Sequence, residues 1–309
     1  MNAITPSGAG HTGAAGHPPS AAAARHHTAA QPAGGTGVGP AAQRAGRPRW
    51  SSWPRPARDG AASWRLSAAG FASLLAVWLA LSQALGPQLA PGPYVVGAAM
   101  WSDIRAGVLP YHLGITLGRV LLTTALALAA GGAAGVWMGL SRPADAFWAP
   151  WLVTGLTIPR LLLAVAAYLI LGLNEAALVA ATAIAVAPSV AVALREGIRA
   201  VDWKLVDMAR AFAVPEPRRW RRVIWPQLLP FAAASARGAL SLSWKMVLFA
   251  ELLGRPSGIG YQIAFYFQTF NMRQILAYGT AAVIVAAVLE TGMRALEQHL
   301  YRWRPSAAV

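Results

Sequence analysis

Two of the cations inside apolar stretches of this 309-residue chain lie near the middle of their stretches: Arg160, beside Pro159, and Lys245. At bilayer depth a charge costs at least about 2.5 to 3.5 kcal/mol, so each is expected to face a cavity or a partner. Lining a path that attracts an anionic or zwitterionic solute is one reading. The competing reading is a structural ion pair with Glu251 or Glu290, which would leave both cations inert. Bond-making chemistry finds little support. The only lysines, Lys204 and Lys245, do not follow glycine, so there is no G-x-x-x-x-G-K-[ST] phosphate loop. Neither H-E-x-x-H nor G-x-S-x-G occurs, and the chain reads as non-catalytic. His11, His17, His26 and His27 are irregularly spaced without partner ligands, and cysteine is absent, so neither a metal nor another cofactor is expected.

A second concentration of polar residues runs from Asp202 to Pro230, DWKLVDMARAFAVPEPRRWRRVIWPQLLP. The stretch from Asp207 to Phe212 reads as a helix, and the segment Val214-Pro215-Glu216-Pro217 cannot continue it. A basic, apolar-striped helix restarts over Arg218 to Trp225. Two short helices joined at a proline corner make a shaped projection.

The elements that carry these residues are membrane spans. Composition is 56% hydrophobic and 12% charged, and mean hydropathy is +0.45, which points to a chain buried against lipid. A net charge of +15 would suggest nucleic acid in a soluble protein. Its placement argues otherwise: seven arginines precede the first apolar run and eight Lys or Arg lie between Arg195 and Arg222. Segments expected on the other side hold only Arg105, Arg255 and Arg273. This bias places both termini in the cytoplasm.

Residues 1–64 are Ala, Gly, Pro, His, Ser and Arg with few branched aliphatics, and read as a disordered cytoplasmic tail. A domain over 65–305 follows, and 306–309 form a short tail. Within the domain, spans are expected over 66–86, 113–140, a third reaching Gly172 and interrupted at Pro159-Arg160, 176–194 with a kink at Pro188, 231–253, and 273–297. Tyr94 to Leu109 suits an amphipathic helix at the outer interface. Gly131, Gly135 and Gly139 form a small-residue ladder for close approach of another helix. Gly258-Ile259-Gly260 reads as a flexible corner before a half-buried aromatic segment. The fold class is thus all-α, with six transmembrane helices.

The projection resembles the cytoplasmic coupling loop of ABC-type import permeases, whose pattern is EAA, Gly four residues on, then I-x-L-P. Asp207, Met208 and Ala209 stand at EAA, Ala213 at the glycine, and Val223, Trp225 and Pro226 at I-x-L-P. Spacing is kept while several identities depart. AELLGRPSGIGYQI (250–263), TLGRVLL (116–122) and LEQHLYRWRP (296–305) are similar to segments of the nitrate/sulfonate/taurine branch, and the resemblance covers about 66–305.

It implies a type I importer permease in the cell inner membrane, carrying a small anionic or zwitterionic solute. It also implies a separate ABC ATPase subunit that binds the ATP, an extracytoplasmic solute-binding protein, and a second permease copy, as a homodimer. Asp207, Ala209, Phe212, Ala213 and Pro226 would couple to the ATPase. Phe212 would anchor in its groove, with Arg218 to Arg222 steering, unless Phe212 packs beneath the loop and the arginines meet lipid headgroups. An ion-gradient-driven secondary transporter is the alternative, and it would call for an inverted repeat and mid-membrane acids.

Overall fold

The computed structural model describes residues 60–300, with side chains over 64–299. The expectations for the tail before Gly60 and for residues 306–309 fall outside the described residues. Within them the chain is all-helical and contains no strand: α1 Gly60–Leu85, α2 Pro93–Arg105, α3 Val108–Leu140, α4 Arg142–Thr157, α5 Arg160–Leu171, α6 Glu175–Arg199, α7 Trp203–Ala211, α8 Glu216–Arg219, a π turn Trp220–Ile224, α9 Trp225–Gly254, α10 Ile259–Gln268 and α11 Met272–Leu300. Long charge-poor runs of Ala, Leu and Val favour helix, and lipid demands that every backbone group be satisfied within its own segment.

Among the described residues, four helices are long and apolar enough to cross a membrane: 64–85, 108–140, 175–199 and 272–299. The pair α4 and α5, bent by 95° at Ile158-Pro159, makes a fifth if taken as one broken span. The expected interruption at Pro159 is therefore an elbow. Ile158 and Pro159 are both extended, which stops α4 and lets α5 start in a new direction. The stretch expected as the fifth span lies in α9, which is long enough but not among the apolar candidates. It carries Arg237, Lys245 and Glu251, and it packs against α3, α5, α6, α10 and α11. A helix covered by protein needs less apolar surface than one facing lipid.

The glycine ladder works as expected, and its partner is α6. A Cβ on Gly131 would lie 2.4 Å from the Ala187 carbonyl oxygen, one on Gly135 2.3 Å from that of Ala191, and one on Gly139 2.6 Å from Ile198 Cβ. The backbones touch where these side chains are missing. α6 runs as one helix through Pro188, whose ring fills the space a side chain at Gly155 would take. By contrast α1 has no buried residue in its apolar stretch and is held chiefly through Trp78, which donates to the Pro91 carbonyl at 3.1 Å. α2 packs on α11 and α3.

Candidate functional site: the helix-corner-helix projection

At the end of the bundle where α6 finishes, residues 200–224 stand between two long helices. Asp202 caps α7 by accepting from the Lys204 N–H at 3.0 Å, so the helix begins at Trp203, earlier than the sequence suggests. The Asp202 N–H donates to Gln227 Oε1 at 2.9 Å, and Gln227 Nε2 donates to the Val223 carbonyl at 2.9 Å. The start of α7 is thereby tied to the start of α9.

One side of α7 is buried, through Val206 and Ala209. Val206 joins an apolar cluster with Ile198, Val201, Ile224 and Leu228. Leu205, Met208 and Phe212, spaced three and four apart, are exposed instead, Phe212 by 77%. Phe212 does not pack beneath the loop. Among the described residues Asp207 pairs only with Arg210, at 3.1 Å on the open surface.

The corner is a Schellman cap. The Ala213 N–H donates to Arg210 O at 2.8 Å and the Val214 N–H to Ala209 O at 3.0 Å. Ala213 has φ +51°, in the left-handed region that favours glycine, and it occupies the position where the permease pattern has glycine. The chain restarts as helix at Glu216, with Pro217 in the first turn, so the break covers 212–215 and lies two residues earlier than the expected 214–217. Arg219 braces the corner by donating to the Val214 carbonyl at 2.8 Å. The π turn follows, in which the Trp225 N–H reaches back to Trp220 O, directly ahead of half-buried Pro226, which has no N–H to give. Beside the projection, Asp145 in the first turn of α4 holds Arg195 at 3.2 Å and also Arg199, joining α4 to the end of α6.

The two cations singled out by sequence are not brought together. Arg160 is half-buried at the elbow, as the first residue of α5. Lys245 is exposed on α9 in a groove of about 370 Å³, lined also by Ser241, Trp244, Glu290 and Arg294. Neither forms a salt bridge among the described residues. Glu290 is shared by Arg294 at 3.3 Å and Arg237 at 3.8 Å, and Glu251 is taken by Arg119, so the expected alternative of an ion pair with those acids does not occur.

Arg119 is the residue that sequence reasoning missed. It was legible as an arginine inside an apolar run. It sits on α3 toward the opposite end of the bundle from the projection, bonded to Glu251 at 2.7 Å, to Glu175 through Nε at 2.8 Å, and to Ser257 O at 2.6 Å. Arg255 completes a neutral quartet by pairing with Glu175. Around it the 258–260 corner is pinned rather than flexible. The N–H groups of Gly258, Ile259 and Gly260 donate to His112, Thr116 and Glu251 at 3.0, 2.9 and 3.0 Å. Gly258 has φ +111°, and a Cβ there would fall on the Glu251 carboxylate. Of the aromatic residues that follow, Tyr261 and Tyr266 are half-buried while Phe265, Phe267 and Phe270 are exposed.

A family model described as binding-protein-dependent transport system inner membrane component matches residues 125–304. The aliphatic sulfonates transport permease protein SsuC of Bacillus subtilis is 27% identical over 237 residues, covering 76% of this chain and 86% of its own. The taurine transport system permease protein TauC of Escherichia coli is 25% identical over 245 residues, covering 77% and 89%. Among solved structures, an inward-facing MetNI methionine ABC transporter chain superposes with a TM-score of 0.53 at 19% identity, over 64% of this chain and 95% of that one, a likeness of fold.

Proposed function

This chain belongs to the family of binding-protein-dependent transport system inner membrane components, and on that premise we propose that residues 202–230 receive work from a separate ATPase and pass it to the bundle. The chain is a multi-pass inner-membrane permease subunit of an ABC importer; its relatives support this over a gradient-driven carrier. The domain spans 65–305, both termini lie in the cytoplasm, and α9 is the fifth crossing in chain order, bringing the total to six.

The observation that carries the coupling role is the exposed apolar stripe Leu205, Met208 and Phe212, beside the buried stripe that fixes α7 to the bundle. An apolar helix face with anchors three and four apart fits a groove on another protein. Asp207 and Ala209 set the faces of α7, Ala213 turns the chain, and Pro226 starts α9. The chain itself is non-catalytic and binds no cofactor; ATP is bound by the partner. A solute-binding protein delivers the cargo, and a second copy of the permease completes the path.

The cargo class is a small sulfonate, taurine-like zwitterion or nitrate-like anion, since relatives are named for sulfonates and taurine and unpaired Lys245 faces a groove. Arg160 at the elbow is the second path cation. With Arg160→Gln and Lys245→Gln, uptake falls while assembly with the ATPase is kept; loss of assembly instead makes them structural.

Phe212→Asp tests the coupling role directly. It abolishes ATPase co-purification and uptake, and intact coupling in that variant removes Phe212 from the mechanism. The chain has no cysteine, so Ala211→Cys reports which side the projection faces. Labelling from outside the cell by an impermeant reagent would overturn the whole reading.

A further inference from the structure

We propose that Arg218, Arg221, Arg222 and Trp225 form a binding stripe for the headgroups of anionic phospholipids, distinct from the apolar stripe of α7 that meets the ATPase. The proposal rests on the cytoplasmic placement of the projection argued above. All four side chains are exposed, while Trp220, Val223, Ile224 and Leu228 on the other side of the same segment are buried or half-buried. The exposed side is therefore one continuous face, three guanidinium groups followed by an indole.

None of the three guanidinium groups has a salt bridge or hydrogen-bond partner among the described residues. Arg219, at the same level, is already engaged with the Val214 carbonyl. Unpaired guanidinium forks present donors that match phosphate oxygens two at a time.

Position along the helix selects lipid over protein. The arginine-bearing turns run without a break into α9, so their distance from the bundle is fixed, whereas α7 lies across the corner. Arg222 precedes Trp225 by three residues, about 4.5 Å along a helix axis. Trp225 is 49% exposed, with the apolar body and polar N–H that favour the membrane interface. With Trp225 at the interface, Arg222 and Arg221 lie about 4.5 and 6 Å beyond it along the helix axis and Arg218 about 10.5 Å, against a Debye length of about 8 Å within which a basic side chain gains about fivefold in affinity for an anionic surface.

The test uses the full-length permease purified from its membrane and reconstituted in vesicles of phosphatidylcholine alone or of phosphatidylcholine with phosphatidylglycerol. Native protein extracted from the mixed vesicles retains phosphatidylglycerol, and high salt strips it. Arg218→Gln alone lowers retention up to about fivefold, and the triple change to Gln at 218, 221 and 222 lowers it up to about a hundredfold. The triple change to Lys keeps charge and restores most of it, which separates headgroup binding from misfolding. In pure phosphatidylcholine the Gln variants capture the ATPase as native protein does. Unchanged phosphatidylglycerol retention in the Gln variants overturns the proposal, and so does loss of ATPase capture in pure phosphatidylcholine, which would assign the arginines to the ATPase. External labelling of Ala211→Cys is a different failure, that of the orientation itself.

Discussion

Arginine serves opposite purposes at the two ends of the bundle. Around Arg119, two arginines and two glutamates pair with one another: each guanidinium meets a carboxylate, and further donors reach Ser257 and the Leu173 carbonyl, with Arg255 Nε the one guanidinium nitrogen of the set left without a partner among the described residues. On the projection Arg218, Arg221 and Arg222 meet nothing among the described residues, and Phe212 is 77% exposed. The first region pairs its charges within one chain, while the second becomes paired only against something else. A buried charge set fixes geometry because losing one member leaves another charge unpaired. A surface set costs the fold almost nothing to change and affects only its partner.

That contrast can be broken, and the largest effect should come from the closed end. Glu251→Leu removes the acceptor for Arg119, for Thr116 and for the Gly260 N–H, and should cost about 3 to 5 kcal/mol, seen as loss of folded protein in thermal unfolding. Folded, thermally unchanged Glu251→Leu protein would show the cluster to be decoration. Phe212→Asp should leave the unfolding midpoint in place, within about 0.5 kcal/mol, yet weaken ATPase binding by about 2 kcal/mol or more in a titration. A lowered midpoint would place Phe212 with the fold instead. The smallest effect sharpens the comparison. Ala213→Gly should raise stability by up to about 1 kcal/mol by relieving a left-handed alanine, with transport retained.

How far sequence carried the description follows the same division. Local devices were readable: the proline corner and the glycine ladder. The α7 face was readable in outline, because helix period and motif spacing are properties of neighbours. The Arg119 cluster was not, since its members come from α3, α6, α9 and the segment after it, and Arg119 lies 132 positions from Glu251. Nothing in spacing says which distant acid will cover a given arginine. The 258–260 corner shows the same blindness in reverse. Glycine there suggests freedom, but the tertiary fold uses the missing side chain to admit a carboxylate. The sharpness of the turn at Ile158-Pro159 also depends on packing, Pro188 against Gly155 included.

That elbow has a consequence for solvent. Where α4 stops and α5 begins at 95°, the ladder of main-chain hydrogen bonds is interrupted. The ends of two helices, one with bare carbonyls and one with bare amides, are brought to the same spot. Hydrocarbon cannot satisfy them, so wherever this joint rests within the bilayer, a thread of moisture or a neighbouring wall must reach it, and Arg160 hangs at that damp point.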